Sequence, residues 1–323
     1  MQMASEIAAR HQLDVDWVRA VVARAEPLPA AARLMRPPAR GSFRNWRAYR
    51  GRFVDSTRIH AGVEFWYRNE ATLARAEAQF GVPAEIIVAI IGVETVYGRN
   101  TGGFGVRDAL VTLALDFPAE HPRAAQRQAF FRDELGHFLQ LCRQTGMDPA
   151  DPLGSYAGAM GIPQFMPSSW RNWAVDFDGD GRIDLWHSEA DAIGSVASYF
   201  RGHGWQPGMP THYAAYPTPD AELDTLLAPD IKPAFSPAQM RSLGVFLRAD
   251  ALAHEGQLAL IRLENGNPAV AGNTPSYAAG TDNFYVVTRY NHSSYYAMAV
   301  IELGQAIAAV RRHEAVLSVA HDG

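Results

Sequence analysis

The chain has 323 residues, of which 48% are hydrophobic and 20% are charged, enough apolar sequence for two or three structural units. Its 29 Lys and Arg residues are outnumbered by 34 Asp and Glu residues, which gives a formal net charge of -5. This balance argues against nucleic-acid binding, because a protein that grips phosphates carries a basic excess. No run approaches the ~20 apolar residues of a membrane span, so we expect a soluble globular protein.

The single cysteine, Cys142, excludes an intrachain disulfide and a cysteine-based zinc site. The first residues, Met1 to Glu6, lack a basic region followed by an apolar stretch and a small-residue cleavage site. We therefore expect either a protein that stays inside the cell or one whose leader has been removed. The cysteine count leaves both compartments open, because an exported protein needs no disulfide.

Helical periodicity dominates the N-terminal part of the chain. Apolar residues between Ile7 and Val22 recur at helical spacing and predict a first helix that stops near Pro27. A second helix is predicted over Val63–Phe80, where Gly81 ends it. A third helix, Pro83–Tyr97, begins with a proline suited to the first turn and is apolar on nearly all sides. We expect this third helix to be buried and central.

The remaining elements are mostly helical as well. Further helices are predicted at Ala109–Leu115, Ala124–Thr145 and Glu189–Gly202. Residues 206–277 are rich in Pro, Gly, Thr and Asn with short apolar runs, which predicts a small, loop-rich unit with β-strands. The apolar run Phe284–Thr288 is predicted to be a strand. Ser293 or Ser294 is predicted to cap a final helix from Tyr295 to about Arg311.

Glu94 is the first candidate for chemistry, because it ends the buried apolar helix. A carboxylate that loses water in such surroundings has a raised pKa and keeps a proton near neutral pH, as a general acid requires. The alternative is a solvated glutamate at a helix end, which the pattern alone favours. Glutamates are rarely buried unless they are paired or functional, so the apolar context shifts the interpretation partway toward catalysis.

The segment Gly154–Trp170 is rich in glycine and contains neither an acid nor a base. Ser155 and Gln164 offer neutral hydrogen bonds, while Phe165 and Trp170 offer flat aromatic faces. Such a mixture suits a neutral, hydroxyl-rich ligand such as a sugar chain. The alternative is an ordinary tight loop, which would be preferred if the segment stood alone.

Residues 176–187 match the calcium loop of an EF-hand. Asp176, Asp178 and Asp180 occupy loop positions one, three and five, and glycine follows at position six. Arg182 at position seven would contribute its main-chain carbonyl, which any residue can do. Alternating acids repel one another without a cation, so the pattern favours calcium over a merely polar turn.

The last calcium ligand is open in the sequence. Position twelve, normally a bidentate glutamate, is His187, which is a poor calcium ligand. Glu189 lies two residues further on and could reach back. Asp184 or a water molecule could also take this place.

A cluster of aromatic and amide side chains begins the last predicted helix. Tyr290, Asn291 and Tyr296 are candidates for ligand binding, although their residue types do not require it. Tyr295 fits core packing equally well, since a tyrosine in an amphipathic helix often faces inward. A lone histidine near a helix cap, as His292 is, is more often structural or solvated than a base.

Four of these stretches, in this order, resemble the membrane-bound lytic murein transglycosylase B family in its soluble, calcium-containing form. The matching segments are Ile86–Gly98, Gly154–Trp170, Asp176–Trp205 and Phe284–Ala306. Weaker similarity extends from Ala4 to Trp66, so the resemblance covers most of the chain. It is thinnest between Gln206 and Tyr277.

The resemblance implies a mainly α (α+β) fold in which a lysozyme-like helical catalytic core is flanked by a helical domain and a small β-containing domain. The N-terminal helical region is expected to pack with the C-terminal helix. The expected boundaries are 1–75 for the N-terminal helical region, 76–205 for the core with its EF-hand-like loop at 176–187, 206–284 for the β domain, and 285–323 for a return strand and the C-terminal helix. The stretch expected to pack with the N-terminal region is 285–311.

The resemblance also implies roles for single residues. Glu94 matches the family's single catalytic acid/base. The residues that match the family's sugar cleft are Tyr49, Ser155, Gln164, Phe165, Tyr199, Tyr290, Asn291 and Tyr296. Those that match its calcium loop are Asp176, Asp178, Asp180 and the carbonyl of Arg182, with Glu189 or Asp184 as candidates for the last ligand. Calcium would be structural, and no organic cofactor is expected.

The implied activity is non-hydrolytic cleavage of the β-1,4 bond between N-acetylmuramic acid and N-acetylglucosamine in peptidoglycan. The products would end in 1,6-anhydro-N-acetylmuramic acid. One carboxylate, Glu94, is enough if the substrate's own acetamido group stabilises the reacting carbon. The alternatives are a hydrolytic muramidase, which needs a second carboxylate or a positioned water, and a non-catalytic, calcium-stabilised peptidoglycan-binding protein.

The family further implies the periplasm of a Gram-negative bacterium, with outer-membrane association before processing. The expected partners are peptidoglycan glycan strands, with enzymes of cell-wall synthesis or remodelling as further candidates. The protein is expected to be a monomer and to bind no nucleic acid.

Overall fold

A computed structural model describes residues 2–37, 41 and 43–321, without the side chains of residues 315 and 318–321. The helices are, in chain order, α1 Gln2–His11, α2 Val15–Ala23, α3 Pro29–Leu34, α4 Trp46–Phe53, α5 Ser56–Arg68, α6 Glu70–Phe80, α7 Ala84–Thr95, α8 Val106–Leu115, α9 Ala124–Thr145, α10 Pro167–Trp173, α11 Glu189–Gly202, α12 Leu223–Leu227, α13 Pro237–Ser242, α14 Ala249–Leu252, α15 Asp282–Tyr290 and α16 Ser294–His321. The strands are β1 Phe104–Gly105, β2 Leu153–Gly154, β3 His212–Pro217, β4 Val245–Leu247, β5 Ala259–Leu263 and β6 Ser276–Gly280. The mainly α fold class is thereby confirmed.

The chain divides into two compact units. The first comprises Met1–Arg40 and Glu94–Val196, and the second comprises Gly41–Val93 and Ala197–Gly323. The chain returns to the first unit at Glu94, which is the predicted catalytic residue. Each unit has its own packing.

The first unit is organised by the long helix α9. Helices α1, α8 and α10 each pack on α9, and α1 also packs on α2. The buried face of α9 repeats at helical spacing through Phe131, Leu135 and Phe138. The helix ends at Gly146, whose φ of 72° is the left-handed cap that glycine adopts without steric cost. Strands β1 and β2 form a two-stranded antiparallel pair. The last residue of β2, Gly154, is the first residue of the glycine-rich segment.

The second unit combines helices packed on α16 with a small sheet. Helices α4, α5 and α15 all contact α16. The sheet is antiparallel with strand order β4-β3-β6-β5. Its buried face includes Leu247, Leu260 and Ala279, which pack beside Met240. The four strands lie between His212 and Gly280, in the part of the chain for which the sequence predicts β-strands.

Two predicted helices are each broken in the structure. The first divides into α1 and α2, because Gln12 adopts a left-handed φ of 54° and Asp14 then caps α2 by accepting from Trp17 N at 2.8 Å. The second begins earlier than predicted, at Ser56, and is interrupted at Asn69. Apolar periodicity that continues across a break conceals it, so pattern alone merges the two helices.

The predicted return strand at 284–288 is wrong, since these residues lie within the helix α15. Thr281 caps this helix by accepting a hydrogen bond from Asn283 N at 3.1 Å. Phe284, Val287 and Thr288 are buried at helical spacing. A short apolar run rich in β-branched residues does not distinguish a strand from a helix, which explains the error.

The final helix is longer than predicted. It begins at Ser294 and continues to His321, well beyond Arg311. Of the two serines proposed as its cap, Ser293 has the capping contact, because its Oγ accepts from Tyr296 N at 3.3 Å. By contrast, the predicted bounds of α9 and α11 are those of the structure.

Within the described residues, no single helix combines the length and apolar character needed to cross a membrane. The pair α6 and α7 meets that condition only when taken together, across a bend of 114°.

Candidate active site

Glu94 lies in the last turn of α7, at the point where a buried helix stops abruptly. Residues 86–91 of this helix are fully or almost fully buried, whereas Glu94 itself is partly exposed. Immediately after the helix, Val96 and Tyr97 have left-handed φ angles of 51° and 60°, and Gly98 follows at 83°. The helix therefore delivers a carboxylate from the apolar interior to a position that a ligand can reach.

Thr95 ties the end of this helix to the glycine-rich segment. Its side chain is fully buried, and its Oγ1 donates a hydrogen bond to the carbonyl oxygen of Ile162 at 2.8 Å. Oγ1 of Thr95 also accepts a hydrogen bond from Gly98 N at 3.0 Å. Residue types alone did not single out Thr95, because its partner is distant in the sequence.

Ser155 organises the start of the glycine-rich segment. Its Oγ accepts hydrogen bonds from Ala157 N at 3.2 Å and from Ala159 N at 3.0 Å. Two accepted bonds leave the hydroxyl hydrogen as the group with which Ser155 can donate to a ligand. The turn requires glycine at 154, because a Cβ there would lie 2.2 Å from the carbonyl oxygen of Ala159.

Gln164 is held by its amide nitrogen. Its Nε2 donates to the carbonyl oxygens of Thr101 and Gly161, both at 2.9 Å. Both donors of the amide are thus used, and Oε1 is the atom that remains to accept from a ligand hydroxyl. The φ of Gln164 is 53°, an uncommon conformation for a residue with a Cβ.

The aromatic faces predicted for this segment are buried, which corrects the sequence-based interpretation. Phe165 is 1% exposed and Trp170 is 3% exposed. Phe165 bonds through its main chain, with N and O paired to Met160 at 3.0 and 2.8 Å. Trp170 packs against Trp186 with ring centroids 4.8 Å apart. A segment of glycines supplies few side chains to a core, so its large apolar residues turn inward.

In the second unit, three of the predicted tyrosines pack in one aromatic cluster. The rings of Tyr199 and Tyr290 are 4.8 Å apart, and Tyr296 lies nearly parallel to Tyr290 at 6.5 Å. Tyr199 and Tyr296 are buried, and the Tyr199 hydroxyl donates to Arg289 O at 2.7 Å. Tyr290 is partly exposed, so it is the ring of this cluster that solvent reaches, and the neighbouring Asn291 is exposed.

Tyr49 belongs to another aromatic group of the second unit. It lies on α4, partly buried, with its ring 5.1 Å from Phe53 and 5.7 Å from Tyr295. Tyr295 is buried, and its hydroxyl accepts from Glu264 N at 2.7 Å, as expected for a core residue. The apolar packing of Tyr49 leaves part of its side chain accessible.

The carboxylates of the predicted calcium loop accept hydrogen bonds from main-chain N–H groups of the same loop. Asp176 accepts from Gly179 N at 2.7 Å and from Gly181 N at 2.8 Å. Asp180 accepts from Arg182 N at 2.8 Å. These are the short-range bonds of an oxygen-rich turn, in which main-chain N–H groups surround the acids.

The structure adds Asp191 to this loop, a residue that the sequence pattern did not select. Asp191 is 1% exposed and accepts from Phe177 N at 2.7 Å and from Asp184 N at 2.8 Å. One oxygen each from Asp176, Asp178 and Asp191 lies within 4.8 Å of the others. Calcium binds oxygen at about 2.3–2.6 Å, so ligands on opposite sides are roughly 5 Å apart, and this donor set fits the ion.

Asp184, one candidate for the last calcium ligand, is turned toward the loop end. Its carboxylate accepts from Trp186 N at 2.9 Å and lies 2.9 Å from Nδ1 of His187. Glu189, the other candidate, begins α11.

Asp191 also lies in the first turn of α11, directly after the acidic loop. An aspartate at such a position is the sequence signal by which Asp191 could have been found.

Comparisons with known proteins identify the family to which this chain belongs. Residues 1–305 match the Transglycosylase SLT domain family. Membrane-bound lytic murein transglycosylase B of Escherichia coli K12 is 39% identical over 319 residues, covering 96% of this chain and 82% of that protein. Soluble lytic transglycosylase SltB1 from Pseudomonas aeruginosa is 41% identical with a TM-score of 0.82, covering 96% of this chain and 98% of that one. Escherichia coli Slt35 in complex with calcium is 39% identical with a TM-score of 0.78, covering 96% and 92%.

The mainly helical fold is that of the lysozyme-like lytic transglycosylases. The predicted resemblance and the lysozyme-like fold class are thereby confirmed. The chain belongs to the Transglycosylase SLT domain family.

Proposed function

We propose that this protein is a peptidoglycan lytic transglycosylase in which Glu94 is the sole acid/base. It cleaves the β-1,4 bond between N-acetylmuramic acid and N-acetylglucosamine and leaves 1,6-anhydro-N-acetylmuramic acid ends. The observation that carries this proposal is the position of Glu94, at the abrupt end of buried α7 and tied through Thr95 to the segment with Ser155 and Gln164. Family membership and the identity to lytic murein transglycosylase B support it.

The reaction needs one carboxyl group in two protonation states. Glu94 first gives its proton to the glycosidic oxygen, and the bond from the anomeric carbon to that oxygen breaks. The substrate's 2-acetamido group stabilises the positive charge at the anomeric carbon. The ionised Glu94 then takes the proton of the C6 hydroxyl of the same sugar. The C6 oxygen bonds to the anomeric carbon, the 1,6-anhydro ring closes, and no water is consumed.

Neutral groups suit the binding of such a substrate. The hydroxyl of Ser155 can donate and Oε1 of Gln164 can accept, so together they match sugar hydroxyl and acetamide groups. We assign Tyr49, Tyr290 and Asn291 to sugar contacts through their accessible surfaces. Tyr199 and Tyr296 have buried rings and support Tyr290, with which both pack. The buried Phe165 supports its own segment through its main-chain bonds to Met160. A complex of SltB3 from Pseudomonas aeruginosa with NAG-NAM-pentapeptide, 27% identical with a TM-score of 0.76, supports a glycan substrate.

Calcium is proposed as a structural ion of the loop at 176–187. Asp176, Asp178, Asp180 and the carbonyl of Arg182 would hold it, and we assign the last protein ligand to Asp191 rather than to Glu189 or Asp184. A bound cation would neutralise carboxylates that otherwise repel one another. The complex of Slt35 with calcium supports this assignment.

The same proposal gives the location and partners. A peptidoglycan-cleaving enzyme acts in the cell envelope, and we propose the periplasm of a Gram-negative bacterium. Glycan strands of peptidoglycan are its substrate, with cell-wall remodelling enzymes as candidate partners and a monomer as its expected state. The name of the membrane-bound relative supports an envelope location.

The test is digestion of purified peptidoglycan, followed by mass spectrometry of the released fragments. Fragments with 1,6-anhydro ends, one water lighter than hydrolytic products, are expected, and Glu94→Gln should abolish their release while the protein stays folded and binds glycan. Hydrated reducing ends would instead identify a muramidase and require a second carboxylate. Glycan binding without any fragments would identify a non-catalytic binding protein.

A further inference from the structure

The turn that follows Glu94 has a backbone conformation that most side chains avoid. Val96 and Tyr97 are consecutive non-glycine residues with left-handed φ angles of 51° and 60°. For a β-branched residue such as valine this is a genuine outlier, because its Cβ substituents clash with the main chain. Such a conformation persists only where the surroundings impose it, and it is typical of functional sites.

The hydroxyl of Thr95 is the side-chain group that bonds across this turn. Its Oγ1 both donates and accepts, since it donates to Ile162 O at 2.8 Å and accepts from Gly98 N at 3.0 Å. The bond to Gly98 closes the turn across Val96 and Tyr97. The bond to Ile162 joins positions 67 residues apart in the sequence. The side chain is fully buried, so water cannot replace either bond.

The turn at Ile162 is held from its other side by the end of the calcium loop. Ile162 N donates to Leu185 O at 2.7 Å, and a Cβ at Gly161 would lie 2.4 Å from that same carbonyl oxygen. The main chain before Gln164 is therefore fixed between Thr95 and Leu185. A displacement of this turn would therefore lengthen at least one of these two hydrogen bonds.

We propose that Thr95 is a positioning residue, whose hydroxyl sets the carboxylate of Glu94 against the turn at Gly161–Gln164. The proposal rests on the proposed function, because it assumes that Glu94 is the acid/base. A displacement of about 1 Å between reacting groups can cost on the order of 100-fold in rate. Loss of this hydroxyl should therefore lower kcat, whereas glycan binding, which depends on other side chains, should remain.

The test compares variants with and without the hydroxyl. Thr95→Val keeps the shape of the side chain and removes both hydrogen bonds, while Thr95→Ser keeps the hydroxyl. Thr95→Ala provides a second variant without the hydroxyl if valine prevents folding. The release of anhydro fragments from glycan strands gives kcat and KM, and circular dichroism with thermal melting confirms the fold.

Thr281→Val is the matched control. Thr281 is also buried, its Oγ1 donates to Pro210 O at 2.6 Å and accepts from Asn283 N at 3.1 Å, and it lies in the second unit. The same two kinds of bond are lost, so a general loss of stability should be similar. Thr281→Val should lower the melting temperature without lowering kcat.

We expect Thr95→Val and Thr95→Ala to lower kcat on the order of 10- to 100-fold with KM changed less than about twofold, and Thr95→Ser to restore kcat. The proposal is overturned if folded Thr95→Val or Thr95→Ala retains kcat, or if Thr281→Val lowers it equally. Glu94→Gln, measured in parallel, separates the two proposals. If Glu94→Gln remains active, the catalytic assignment fails, whereas an inactive Glu94→Gln beside a fully active Thr95→Val overturns only the role of Thr95.

Discussion

Glu134 caps the first turn of α10 through Ser168. Its Oε2 accepts from Ser168 N at 2.9 Å, and its Oε1 accepts from the Ser168 hydroxyl at 2.6 Å. Glu134 is only 3% exposed, and burial raises the pKa of its carboxyl although both hydrogen bonds from Ser168 lower it. Since α10 begins two residues after Phe165, this buried carboxyl anchors one end of the glycine-rich segment to α9.

Glu134→Gln should make stability less dependent on pH. A carboxyl whose folded pKa is raised favours folding while it is protonated, and this contribution is lost as pH rises from the ordinary value of 4.5 through the folded pKa. Glutamine keeps an acceptor for Ser168 N and removes the charge, so Glu134→Gln should be at least as stable as the parent at pH 8. Urea unfolding of Glu134→Gln and of the parent protein, each at pH 5 and pH 8, measures the free energy of unfolding and its dependence on pH. Glu134→Ala should instead lose about 1–3 kcal/mol, because it leaves buried donors unpaired.

Gly136 and His11 define a second contact in the first unit, where helix α1 meets α9. A Cβ at Gly136 would lie 2.2 Å from Cδ2 of His11, and this ring is held in place by Gln140 and Asp133. Gly136→Ala should therefore lower the free energy of unfolding by about 1–3 kcal/mol through overpacking. Chemical denaturation measures this difference.

Gly51→Ala is the control for Gly136→Ala. Gly51 also lies inside a helix, α4, but a Cβ there meets nothing within 4 Å. Alanine restricts the unfolded chain and favours the helix, so Gly51→Ala should stabilise the protein by about 0.5–1 kcal/mol. If both substitutions shift stability in the same direction, the close contact with His11 is not the cause.

Calcium should raise the melting temperature, because an ion that binds the folded state alone stabilises it by mass action. Asp176→Asn and Asp191→Asn should abolish this rise, since both carboxylates belong to the convergent group. Asp184→Asn should retain it, because Asp184 is engaged with His187. Scanning calorimetry with calcium and with a chelator measures each variant. A calcium response that survives in Asp191→Asn and disappears in Asp184→Asn would reverse our assignment of the last ligand.

Cys142 should be unreactive in the folded protein. Its side chain is 1% exposed, and burial raises the pKa of its thiol to about 12. The thiolate is the reacting species, so alkylation by iodoacetamide at pH 8 should be slow in native buffer and fast in urea. Mass spectrometry of the labelled protein follows the rate. Rapid labelling without denaturant would contradict the burial of this residue.

The elements that the sequence predicted well are those with a strong local signal. Helices α9 and α11 have the predicted bounds, because each has a continuous apolar face and α9 ends at a glycine. The strand predicted at 284–288 is wrong, since five apolar or β-branched residues fit either structure. The cap at Thr281, which decides the matter, becomes visible only through its bond to Asn283.

The local sequence alone determined the candidates for chemistry in this protein. It located Glu94 at the end of an apolar helix, the neutral glycine-rich segment, and the alternating acids at 176–180. These features are recognisable because they depend on residues that are neighbours in the chain.

The tertiary structure decided which distant residues complete these features. It joined Thr95 to Ile162, brought Asp191 to the acids of the loop, and buried the rings of Phe165 and Trp170. Such contacts connect positions far apart in the chain, and they depend on which surfaces lose water when the helices pack. Local periodicity carries no information about that, so only the folded chain shows how the glutamate is held.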